Sequence, residues 1–86
     1  MYYTYNLLMV NDEVYTGFTS DLKRRLAEHK TGNNETTRKH LPVELIHYEA
    51  FLNELDARRR EEYFKTNKGK TTLRLMLREY LKDKRR

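Results

Sequence analysis

The chain has 86 residues, enough for one small domain and well short of the ~150 usually allotted per domain. It contains no cysteine, which excludes disulfide scaffolds, thiolate zinc sites and cysteine nucleophiles, and no apolar run approaches the ~20 residues needed to span a bilayer. The net charge of +5 is unevenly spread: residues 1–56 carry 6 basic and 9 acidic groups, residues 57–86 carry 12 and 4. So basic a C-terminal third is the footprint of a surface that meets polyphosphate. The start, MYYTYNLLMV, lacks the basic stretch and small-residue cleavage site of a signal peptide, so a soluble, cytoplasmic protein is expected.

Tyr2–Val10 and Val14–Phe18 are rich in aromatic and aliphatic residues, and Asn11-Asp12-Glu13 between them predicts a β-hairpin. Strand periodicity puts Tyr3, Tyr5, Leu7 and Met9 on one face and Tyr2, Thr4, Asn6 and Leu8 on the other. A helix follows, capped by Thr19 or Ser20, with Asp21 in its first turn and Gly32 as its stop. Residues 32–41 read as a polar loop and Val43–Phe51 as a third strand. Asn53 caps a second helix that ends near Gly69. Thr71 or Thr72 caps a third, with Leu73, Met76, Leu77, Tyr80 and Leu81 as its buried stripe. The expected architecture is a small α/β (α+β) fold: a three-stranded antiparallel sheet flanked by three helices, in the order β-β-α-β-α-α. One domain is expected over residues 1–81, with a short basic tail over 82–86.

Three features fit neither plain core nor plain surface. Arg25 and His29 share a helix face with Leu22 and Leu26, so a cation accompanies an inward stripe and needs an anionic partner. The alternative is that Arg25 reaches water while His29 caps the helix end. Glu61 projects from the Ala57/Phe64 face of the second helix; such a carboxylate pairs with a cation, Arg25 being the obvious one, or binds a metal. Four of the seven tyrosines, Tyr2, Tyr3, Tyr5 and Tyr15, lie in the hairpin, where Gly17 permits close approach of a backbone or ligand.

Together these resemble the GIY-YIG nucleases, in the form of their small stand-alone bacterial members. Tyr3-Thr4-Tyr5, ten residues ahead of Tyr15-Thr16-Gly17, is similar to the paired signature, with Tyr3 where Gly is usual. Arg25 within SDLKRRLAEH, His29, and Glu61 within DARRREEYFKTNKGK follow in the family's order. Phe18 stands where excision-repair members carry a lysine, and no counterpart is found to the asparagine that many members place after the glutamate. The resemblance implies a metal-dependent endonuclease that hydrolyses phosphodiester bonds of DNA; with one domain expected and no second one to read bases, low sequence specificity is expected. Tyr5, Tyr15, Arg25, His29 and Glu61 would be catalytic, with Glu61 holding one Mg²⁺ or Mn²⁺ ion. Tyr5, Tyr15 and His29 all remain possible bases.

The basic third would track the nucleic-acid backbone through Lys65, Lys68, Lys70 and Arg74, joined by Arg38 and Lys39 of the loop. Exposed tyrosines favour single-stranded or branched DNA. DNA is expected over RNA, with no membrane partner, and the protein as a monomer or weak homodimer. The rival is a non-catalytic nucleic-acid-binding module that retains the fold.

Overall fold

The computed structural model describes residues 1–84 of the chain. Strands β1 (Tyr2–Leu8), β2 (Val14–Thr19) and β3 (Glu44–Phe51) form an antiparallel sheet in the order β2-β1-β3, so the most apolar strand lies in the middle. The hairpin turns where its residues predict. Asp12 takes a left-handed conformation (φ 69°), and Met9 and Glu13 close the turn through their backbones. The pleat sorts the first strand as its alternation requires. Tyr5, Leu7 and Met9 pack with Val43, Leu22 and Leu26 beneath the first helix, while Thr4 and Asn6 face the second.

Helix α1 (Leu22–Lys30) is capped by Asp21, whose carboxylate accepts from Arg24 N at 3.1 Å, and not by Thr19 or Ser20. Thr19 instead supports that cap by accepting from Asp21 N. The helix closes at Gly32, with Gly32 N bonded to His29 O and Asn33 N to Glu28 O, which satisfies two of its last carbonyls. Helix α2 (Glu54–Lys65) begins at Asn53 as expected, and Thr4 ties it to β1 by donating to Ala57 O at 2.6 Å.

The C-terminal helices depart from expectation. Gly69 does not stop α2. It lies buried in the first turn of α3 (Asn67–Met76), which begins at Thr66 and not at Thr71 or Thr72. Thr66 makes the corner: its hydroxyl donates to Tyr63 O at 2.6 Å and accepts from Gly69 N at 3.0 Å. A Cβ on Gly69 would lie 1.8 Å from Tyr63 O, so only glycine lets α3 start this close to α2. The single expected third helix is also split at Leu77 into α3 and α4 (Arg78–Lys84). The break turns the stripe, leaving Leu73 buried, Leu77 and Leu81 half-buried, and Met76 and Tyr80 exposed. Lys82–Lys84, read as tail, belong to α4, which Tyr80 and Lys84 fasten to Glu44 of β3; Arg85 and Arg86 lie outside the described residues.

Candidate active site

The sheet, α1 and the loop after it converge on Tyr5. Its ring crosses toward β2 above Gly17, its register partner, where an added Cβ would stand 2.4 Å from the phenol carbon and oxygen. Glycine at 17 therefore makes room for the tyrosine of its own sheet. Tyr5 and His29 are fully buried, and the phenol oxygen lies 2.7 Å from His29 Nε2. Arg25 Nε donates to the same oxygen at 3.3 Å. Tyr15 completes the cluster, its ring edge-on to His29 at 5.1 Å between centroids.

The loop supplies what holds the imidazole. His29 Nδ1 lies 2.8 Å from Thr37 Oγ1, and Thr37, fully buried, reaches Asn34 Oδ1 at 3.4 Å. Thr37 Oγ1 bridges the two, and in the tautomer with the proton on Nδ1 it accepts from His29 Nδ1–H and donates to Asn34 Oδ1. That leaves Nε2 bare, as acceptor of the Tyr5 proton. Burial pushes the Tyr5 phenol up to about 12, only partly offset by Arg25. Burial, then the Arg25 charge, holds His29 below the usual imidazole range. Both groups are thus neutral at pH 7.

A pH effect follows from His29. In the unfolded chain it titrates near 6.5. As pH falls below that, the unfolded state takes up a proton the folded state resists, so stability drops toward acid and is fully present above it. The urea midpoint should therefore fall between pH 7.5 and 5 more steeply in the wild type than in His29→Gln. Parallel pH profiles would show that the buried imidazole is not responsible.

The anionic partner required by Arg25 is Glu28, at 3.0 Å, and not Glu61. Glu61 bonds Lys65 through Oε2 at 3.0 Å, so the expected Arg25–Glu61 ion pair does not form. Nor does His29 cap its helix, since both ring nitrogens are engaged elsewhere. Glu61 still neighbours the cluster, near enough for its charge to act on Tyr5. Its side chain is 17% exposed, and its Oε1 has no partner among the described residues. Among those residues there is no group of three or more His, Asp or Glu side chains able to enclose a metal. A lone, accessible carboxylate oxygen fits an ion that keeps most of its positions for water and phosphate, as Mg²⁺ does.

On the α2 face of the sheet, Phe18 carries the Arg58 guanidinium 4.0 Å above its ring, placing an α2 cation at the edge strand. The basic residues divide. Lys65 adjoins Glu61, and Arg38 and Lys39 follow Thr37 in an exposed 3₁₀ turn (Arg38–His40). Lys70 and Arg74 line a groove on the other sheet face, and Lys68 is exposed on α3. Thr37 and Glu28 are the residues that sequence reasoning missed. The only signal for Glu28 was its i+3 spacing from Arg25, and Thr37 carried none.

The GIY-YIG catalytic domain matches residues 1–74. The chain belongs to this family. It is 38% identical over 84 residues to a UPF0213 protein of Streptococcus pyogenes serotype M3, covering 96% of this chain and 91% of that one. It is 44% identical over 73 residues to a UPF0213 protein of Streptococcus agalactiae serotype V, covering 81% and 83%. The solution NMR structure of a UPF0213 protein from Bacillus halodurans is similar at a TM-score of 0.57 and 31% identity, covering 88% of this chain and 85% of that one. As in the small GIY-YIG domains, one sheet and its helices make up the matched fold. No helix among the described residues is long and apolar enough to cross a membrane.

Proposed function

We propose that the protein is a divalent-metal-dependent endonuclease that hydrolyses phosphodiester bonds of DNA with low sequence specificity and favours unpaired strands. The observation that carries this reading is the buried Tyr5–His29–Thr37 chain, with Arg25 on the phenol and Glu61 alongside. A buried tyrosine bonded to a neutral histidine has no evident structural need for an arginine as well. A site that must move a proton beside a phosphate does.

Phosphodiester hydrolysis needs a proton removed from water and extra negative charge stabilised on the phosphoryl oxygens. With its phenol near 12, Tyr5 is a poor base by itself. Its oxygen accepts the water proton as its own passes to His29 Nε2, 2.7 Å away. His29 is thus the terminal acceptor, and the Nδ1–H bond to Thr37 stabilises the imidazolium that forms. Arg25 anchors Nε on Tyr5 and Nη1 on Glu28, leaving Nη2 for a phosphoryl oxygen. Tyr15 packs the imidazole edge and keeps it from turning. Glu61 would hold the ion, which when bound supplies Lewis-acid stabilisation of the phosphoryl oxygens and leaving group. Lys65, Lys68, Arg38 and Lys39 would contact flanking phosphates, which position the strand without reading sequence.

Labelled single-stranded, duplex and branched DNA, incubated with Mg²⁺, Mn²⁺ or EDTA, tests this function. The unpaired substrates should be cut fastest, and EDTA should abolish cutting. Absence of cleavage in every metal, with salt-sensitive binding retained, would favour a binding module instead.

A further inference from the structure

On the sheet face opposite His29, β2, α2 and α3 enclose a cavity of about 280 Å³. Val14, Phe64 and Leu73 give it apolar walls, and Lys70 and Arg74 stand at its edge with Glu13. Neither cation is paired with a carboxylate among the described residues, and Arg74 is held in place by donating to Asp12 O of the hairpin turn. Thr16 adds a hydroxyl whose oxygen already accepts from Asn6 Nδ2 at 2.9 Å, so its own proton is left to donate. Behind it, the fully buried Asn6 has no partner for Oδ1. Arg74 also borders a second groove with Arg78 and Lys82, which extends the cationic track along α4.

This combination selects a ligand with a flat apolar body and an anionic group. The volume lies just under the roughly 300–1,000 Å³ of small-molecule sites and has room for a nucleobase. Its place is informative too. On the edge strand β2, Thr16 directly precedes Gly17, over which the Tyr5 phenol lies on the other face, and Phe64 follows Glu61 by three residues, about 4.5 Å along α2. We propose that the cavity takes one unstacked nucleotide of a strand that passes around the β2 edge to the Tyr5 face, with its base against Val14, Phe64 and Leu73 and its phosphate on Lys70 and Arg74, an assignment that rests on the nuclease function argued above. Glu13 is then placed to accept from an exocyclic amine of the base.

Binding measured in EDTA tests this apart from cutting. A fluorescent deoxycytidine 12-mer should bind the wild type roughly tenfold more tightly than an abasic 12-mer of equal charge. Val14→Phe, which fills the cavity and leaves the charge alone, should remove that preference. In the unmodified protein, dCMP should shift the NMR signals of Thr16 and Leu73. Equal binding of the two strands, a preference that survives in Val14→Phe, or dCMP shifts confined to α1 would each overturn the assignment. Because no metal is present, base-dependent binding through these residues without cleavage of any substrate would count against the nuclease function alone. Cleavage without that binding would count against the cavity alone.

Discussion

Glu61→Gln should lower metal-dependent cleavage by at least about a thousandfold while leaving DNA binding in EDTA within about twofold of wild type. The substitution keeps the side chain's shape and removes its charge. Lewis-acid stabilisation amounts to several kcal/mol, and each 1.36 kcal/mol is a factor of ten in rate. The fold should be spared, because the lost partner is Lys65, more than half exposed, and such pairs contribute less than ~1 kcal/mol. Single-turnover cleavage, anisotropy and a urea melt on one preparation separate the three quantities. Unchanged cleavage would remove Glu61 from the site. A collapsed melting transition would make its role structural.

Gly17→Ala is the second large effect, and it acts through a neighbour. Its Cβ would stand 2.4 Å from the Tyr5 phenol, a contact that real side chains do not make. Tyr5 is fully buried, and its ring meets Tyr15 on one side and His29 on another, so it can yield only by leaving its place. Overpacking of this kind costs roughly 1–3 kcal/mol. The displacement also breaks the 2.7 Å link to His29, so cleavage should fall by about 10²-fold or more. Binding in EDTA through Lys68, Arg38 and Lys39 should persist. An alanine variant as stable and as active as wild type would mean that the phenol does not lie over residue 17.

Much of this was legible in the chain itself. Alternation in the first strand sorted Tyr5 and Leu7 from Thr4 and Asn6, and helical spacing put Arg25 and His29 on one inward face. Those patterns are local and periodic, so they survive folding. What was not legible depends on contacts between distant segments. Gly69 looks like a helix stop because glycine weakens helices, yet here it is the one residue that lets α3 abut Tyr63 O. Arg25 and Glu61 have opposite charges on helices that flank opposite faces of the sheet, and each finds a carboxylate or ammonium on its own helix first, Glu28 and Lys65. Thr37 lies in a polar stretch where a threonine attracts no notice; only the tertiary fold reveals that it fixes the imidazole.

The chain's two helical faces therefore contribute different things: α1 brings Arg25 and His29 onto Tyr5, and α2 brings Glu61 to the same strand edge. The cleavage rate of wild type beside Arg25→Ala, on single-stranded DNA with Mg²⁺, tests whether these act as one centre. Removing the guanidinium strips a charge from the phosphoryl oxygens and a donor from Tyr5, so the rate should fall by about 10²–10³-fold with the fold intact. Equal rates in the two proteins would contradict a catalytic centre at Tyr5.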